Sequence, residues 1–264
     1  LTFIRLAIIL VFSAGPALGG LIIATVVYYG LFWVDGITCI IAGIVMIQTL
    51  HPKKAKVLDK EVVIDNPIKA HKDGIYVLFL IALALFGFVF VQYFSTVPLY
   101  YKEIHQLSEE KIGFLLALNG ALIFFFEMPL IAYLEKTNIS KIGNVINGFI
   151  LTGISFVLFL ITPWSGILII GMIIVTLGEM ISFPFGNAFA LEQSKKGKQG
   201  AYMGLYSMSF SAAHIFGHNS GMQLINIYGY ENSWIFMGCV AVLGTGLLFY
   251  VKHKIIQKET YSGD

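Results

Sequence analysis

The residue in this sequence with the most chemistry to account for is a carboxylic acid in the middle of an apolar run. Glu179 lies within 167–190, and Thr176, Glu179, Phe183 and Asn187 follow one another at 3, 4 and 4 residues, which puts them on one helical face. An ionised carboxylate at membrane depth costs on the order of 3 kcal/mol. Without a cationic partner Glu179 should therefore hold a proton and exchange it only when water reaches it, which is the chemistry of a proton carrier. The competing reading is a permanently protonated acid bonded to a neighbouring helix. Glu127, preceded by Phe124, Phe125 and Phe126 and followed by Pro129, is the second acid of this kind. Snorkelling toward the interface, or a bond to backbone freed by the proline, accounts for it as well as proton coupling does.

Ser207, Ser211, His214 and His218 recur at 4, 3 and 4 residues and share a narrow face. Lipid does not tolerate such a face, so it is expected to point into a bundle or a wet cavity, with Gly200, Gly204, Gly217 and Gly221 permitting close helix packing nearby. The histidines are candidates for modulating the proton carrier, because titratable groups at membrane depth default to function. The plainer alternative is interhelical hydrogen bonding at about 0.6 kcal/mol per bond. Two histidines at i and i+4 also suit a metal, but no glutamate adjoins His214 or His218 to serve as base. No nucleophile beside a base, phosphate-cradling loop or dinucleotide fingerprint is present either. The chain is read as a non-enzyme with no metal and no cofactor. Gln92 and Tyr93, close to Ser95 and Thr96, are placed to touch a substrate, as is Asn187.

The elements that carry these residues follow from composition. Of 264 residues 57% are hydrophobic and 12% charged, and the mean hydropathy is +0.81. Soluble domains carry about 25% charged residues, so this chain is solvated mainly by lipid. The net charge of +2 gives no reason to expect nucleic acid. Cys39 and Cys239 sit in apolar stretches and suggest neither a disulfide framework nor a metal cluster.

Crossing about 30 Å of hydrocarbon takes about 20 apolar residues. That measure gives eight spans, at 6–29, 31–50, 75–97, 112–134, 142–162, 167–190, 201–227 and 234–251. The first has too long an apolar stretch for a signal peptide. Starting at Leu1 with almost no preamble, it reads as the tail of a longer protein. With eight spans, every Lys and Arg except Lys102 and Lys111 falls on one side, which predicts cytoplasmic termini.

The first span contains Gly15-Pro16-Ala17-Leu18-Gly19-Gly20, a close-packing Gly15/Gly19 pair with a helix-bending Pro16. This resembles the antiporter motif in the fifth helix of the major facilitator superfamily, in its drug:proton antiporter branch. The match is partial, since the motif's upstream glycines would fall at Val11 and Thr2. The resemblance implies an all-α membrane protein with a partial major facilitator fold. Residues 1–50 would be the last two helices of the N-terminal bundle, 51–74 a cytoplasmic linker, 75–254 the six-helix C-terminal bundle and 255–264 a tail. The family's acid-and-base loop would fall at Glu135-Lys136 and Lys141, with Ile131 where a glycine is expected and no arginine.

The implied function is proton-coupled export of small amphipathic molecules by alternating access, in the plasma membrane (the bacterial inner membrane). The full-length protein would act as a monomer, with protons, substrate and lipid as its partners. Proton-coupled uptake is the nearest alternative. A truncated, non-transporting membrane protein is another.

Overall fold

The structure, a computed structural model, describes residues 28–49, 68–161 and 164–262, and among them it contains helices and no strand. The helices are α1 (Tyr28–Thr49), α2 (Gly74–Ser95), the short α3 (Val97–Glu103), α4 (Glu109–Leu134), α5 (Lys141–Ile161), α6 (Gly166–Gln193) and α7 (Gln199–Ser262). Single 3-10 turns at Ala70–Lys72 and Ser194–Lys196 lead into α2 and α7. Among the described residues, six helices are long and apolar enough to cross a membrane. The 22 residues of α2, for example, reach about 33 Å at a rise of about 1.5 Å each.

The last of the six is folded in two. Gly229, at φ 76° and ψ 176°, interrupts α7 with a backbone conformation that is essentially restricted to glycine. The arm at 199–228 runs beside α2 in the same direction, with Ala213 against Gly87 and Gly217 against Val91. The arm at 230–262 returns against α5, where Trp234 meets Phe156 and Ala241 meets Gly153. These arms are the seventh and eighth spans of the sequence reading. The first span lies almost wholly outside the described residues, as do Gly15, Pro16, Gly19 and Gly20 and most of the linker. From Phe32 onward α1 presents its side chains to the surroundings.

Local chemistry fixes the helix ends. The Asp73 side chain accepts a hydrogen bond from the Tyr76 amide at 3.3 Å and caps α2. Glu109 and Glu110 occupy the first turn of α4, where carboxylates complement the helix dipole. Pro129 in α4 and Pro184 in α6 each remove one backbone donor from the helix interior.

Packing then depends on small residues. A Cβ on Gly148 of α5 would lie 2.6 Å from the Gly178 carbonyl of α6, and one on Gly178 would lie 2.7 Å from the Gly148 carbonyl. These backbones touch, as expected where association in lipid rests on van der Waals contact.

The two ends of the bundle differ in charge. Lys141 pairs with Glu192 at 2.6 Å and Lys196 with Asp73 at 3.8 Å at one end, and Lys252 lies beside Gly143 there. At the other end Lys102 pairs with Glu109 at 2.5 Å, Tyr230 donates to Glu103 at 2.7 Å, and Trp234 is buried among Tyr100, Phe156 and Phe159.

Candidate functional site

The centre of the bundle is built on α6. Glu179 is the fourteenth of its 28 residues and is half-buried. Thr176, one turn before it, is fully buried; its hydroxyl donates to the Met172 carbonyl at 2.6 Å. Both face Asn119 of α4, whose amide nitrogen donates to Glu179 Oε2 at 2.8 Å and to Thr176 Oγ1 at 3.0 Å. One amide thus ties two turns of α6 to α4. An N–H donor serves a carboxyl oxygen whether or not that group carries a proton, so this tether suits either protonation state of Glu179.

Asn119 was not singled out in the sequence. The available signal was a lone amide in the middle of an apolar helix, a residue type that hydrogen-bonds across helices in membranes. Ile112, Gly113, Asn119, Gly120 and Glu127 are the buried residues of α4 and form a single stripe facing α6. Glu127 is therefore inside the bundle, 5% exposed, and within electrostatic range of Glu179. This placement removes the snorkelling alternative for Glu127 and sets two carboxyl groups on facing helices.

Beyond Glu179 on the same face of α6, Phe183 joins three helices. Its ring lies 5.6 Å from Phe86 and 5.2 Å from Phe90 of α2, and 5.1 Å from Phe210 of α7. The series continues through Phe90 to the exposed Phe94 at 5.4 Å, and through Phe210 to Tyr206 at 5.3 Å. A polar pair at Glu179 and Asn119 thus borders an aromatic surface shared by α2, α6 and α7. Such a border can hold an amphipathic molecule by ring contact and orient its polar end toward the acid. Asn187, one turn past Phe183, is exposed.

The other residues picked from the sequence are placed differently. Gln92 is fully buried, and its amide nitrogen donates to the Gly217 carbonyl at 2.9 Å and the Phe88 carbonyl at 3.0 Å. Its Oε1 accepts from Thr96 Oγ1 at 3.0 Å, so the side chain locks α2 to the first arm of α7. Tyr93 is fully buried with its ring 5.0 Å from Phe156 and 5.9 Å from Phe159. Neither reaches an open surface, because the face of α2 that carries them is the face closed by α5 and α7.

The histidine series lies on the open surface of the described helices. Ser207, Ser211, His214 and His218 are all exposed among the described helices. The first arm of α7 packs instead through Tyr202, Tyr206, Ala213, Gly217, Gly221 and Ile225. The reason is steric: at Gly217 and Gly221 the arm lies so close to Val91 and Gln92 that a Cβ would overlap them. Small residues, not polar ones, selected the buried side. Among the described residues no hydrogen bond joins either histidine to Glu179, and no three His, Cys, Asp or Glu side chains converge as a metal site.

Comparison with known proteins agrees with this architecture. The family model described as Major Facilitator Superfamily matches residues 1–218 and 145–260. The chain is 26% identical over 227 residues to a protein described as an uncharacterized MFS-type transporter, YttB, of Bacillus subtilis (strain 168), covering 82% of this chain and 55% of that protein. A second such transporter from the same organism, YqjV, is 22% identical over 182 residues, with 68% and 40% covered. A Na(+), Li(+), K(+)/H(+) antiporter of Planococcus maritimus is 22% identical over 203 residues, with 72% and 47% covered. The chain spans about half the length of these relatives. With a family match across nearly its whole length and six apolar helices of spanning length, the chain belongs to the major facilitator superfamily, a multi-pass membrane protein of a transporter family.

Proposed function

We propose that this chain is the part of a proton-coupled antiporter that carries the proton, with Glu179 as the exchanging group. The observation that supports this best is the half-buried Glu179 in the middle of α6, tethered by Asn119 and bordered on its open side by aromatic rings. The full-length transporter works by alternating access: its two halves rock about a central cavity, water reaches Glu179 from one side at a time, and the proton follows the water. Glu127, on the facing helix, is the second acid of the relay, and His214 and His218 modulate it from the far side of α7.

The exported solute is small and amphipathic, seated on Phe183, Phe210 and Phe94, with Asn187 at the edge of its path. A second reading, exchange of an alkali cation for protons, is favoured by the similarity to the Na(+), Li(+), K(+)/H(+) antiporter of Planococcus maritimus and by two carboxyl groups on facing helices. The basic end of the bundle is cytoplasmic in both readings, by the distribution of lysines.

The test is transport driven by an imposed pH gradient in vesicles containing the full-length protein. Glu179→Gln should abolish it and leave exchange of preloaded solute intact. Undiminished gradient-driven transport in that variant would end the proton-carrier role. A panel of amphipathic cations against Na(+), Li(+) and K(+) separates the two solute readings.

A further inference from the structure

The basic end of the bundle contains a cavity that proton exchange does not use. It has a volume of about 510 Å³ and opens between the segment preceding α2 and the first turns of α7. Its described lining is Lys69, His71 and Lys198 together with Ile68, Ala70, Ala201, Gly204, Leu205 and Met208. Three basic side chains thus sit above an apolar wall, and among the described residues no acid lines it.

The rim is held in place before any ligand arrives. The Ile68 amide donates to the Lys196 carbonyl at 3.0 Å, fastening the segment before α2 to the turn before α7. Asp73 accepts from the Tyr202 hydroxyl at 3.2 Å and pairs with Lys196 at 3.8 Å, and the Tyr76 hydroxyl donates to the Tyr202 carbonyl at 2.7 Å. Asp73, the one acid of this rim among the described residues, is therefore engaged with Lys196 and Tyr202. Among the described residues neither Lys69 nor Lys198 has a carboxylate within ion-pair distance. Among the described residues the wall below is open: Met208 is 64% exposed, and a Cβ on Gly204 would meet nothing within 4 Å. From Lys198 to Met208 the helix rises about 15 Å, which is half the hydrocarbon thickness.

A charged rim at the membrane boundary that continues into an apolar groove pointing toward the bilayer centre has the shape of a phospholipid. Basic pockets between membrane helices hold anionic head groups by this means. We propose that this cavity binds one anionic phospholipid, with the phosphate between Lys69, His71 and Lys198 and an acyl chain along Leu205, Gly204 and Met208.

The experiment is native mass spectrometry of the full chain in detergent, titrated with phosphatidylglycerol or with phosphatidylcholine. One phosphatidylglycerol should be retained in preference to phosphatidylcholine. The double variant Lys69→Gln/Lys198→Gln should weaken its retention about thirtyfold, on a contribution of roughly one lysine-equivalent of attraction per removed charge. Gly204→Phe, which fills the groove without removing charge, should displace the lipid and leave the thermal melt of the protein unchanged. Lys254→Gln, at the same end but outside the cavity, should retain it. Equal retention of both lipids, or equal loss in the Lys254 and the Lys69/Lys198 variants, would overturn the site in favour of general charge attraction. So would undiminished binding to the Gly204→Phe protein.

Discussion

On α6, Thr176 and Glu179 are tied to Asn119 of α4, whereas on the first arm of α7 an equally regular polar series, Ser207, Ser211, His214 and His218, stands in the open. Both series have near-helical spacing and both lie in membrane-spanning segments, so periodicity ranks them alike. The difference comes from what the neighbouring helix can reach. Asn119 brings a donor to α6, while α2 closes on α7 through Gly217 and Gly221 and turns the polar series outward. A polar face in lipid must be covered, but the sequence of one helix does not say by which neighbour.

The strongest way to break this comparison is to exchange the chemistry of the two series. Glu179→Gln in the full-length transporter should reduce pH-gradient-driven transport to background. The double variant His214→Ala/His218→Ala should retain most of that transport and alter only its dependence on pH. If the histidine variant is the dead one and Glu179→Gln is active, the roles assigned to the two helices are reversed.

A second comparison concerns packing. Gly148→Ala places a methyl group against the Gly178 carbonyl, and Gly221→Ala places one on the Gln92 amide. Each should cost about 1–3 kcal/mol through overpacking, read as a lower melting temperature in detergent. Gly200→Ala, on the open side of α7 with nothing within 4 Å of the new Cβ, should not lower the melt. An effect at the low end of that range is expected at Asn119: replacement by Leu removes both bonds of the tether to Thr176 and Glu179 and should cost about 1.2 kcal/mol in all, at about 0.6 kcal/mol per interhelical bond.

Much of the fold could be read from hydropathy because the bilayer sets the length of each element. The spans expected at 75–97, 142–162 and 167–190 correspond to Gly74–Ser95, Lys141–Ile161 and Gly166–Gln193. The seven-residue α3 was not foreseen, since it is too short to cross and carries no strong period. Within the site, Glu179 announced itself by the cost of burying a carboxyl group. Asn119 did not, because an amide is cheaper to bury and its partner lies 60 residues away. Gln92 and Tyr93 looked like cavity residues because they are polar or amphipathic near a helix end. Their burial depends on Gly217, Gly171 and the rings of α5, contacts that no single helix encodes.

The smallest expected effect is also the one that bears most directly on the two polar series. His214 and His218 are exposed in this chain, so removing them singly should change its stability by no more than about 0.5 kcal/mol, the usual range for exposed positions. The same substitutions in the full-length transporter meet a different surface, because a polar face at membrane depth is expensive against lipid and must be covered there by other helices. His214→Leu should therefore leave the melt of this chain in detergent unmoved and lower that of the full-length protein. If both melts stay constant, the face is wet and not packed; if this chain alone is destabilised, the histidines make a contact among this chain's own helices, and the outward direction of the series is wrong.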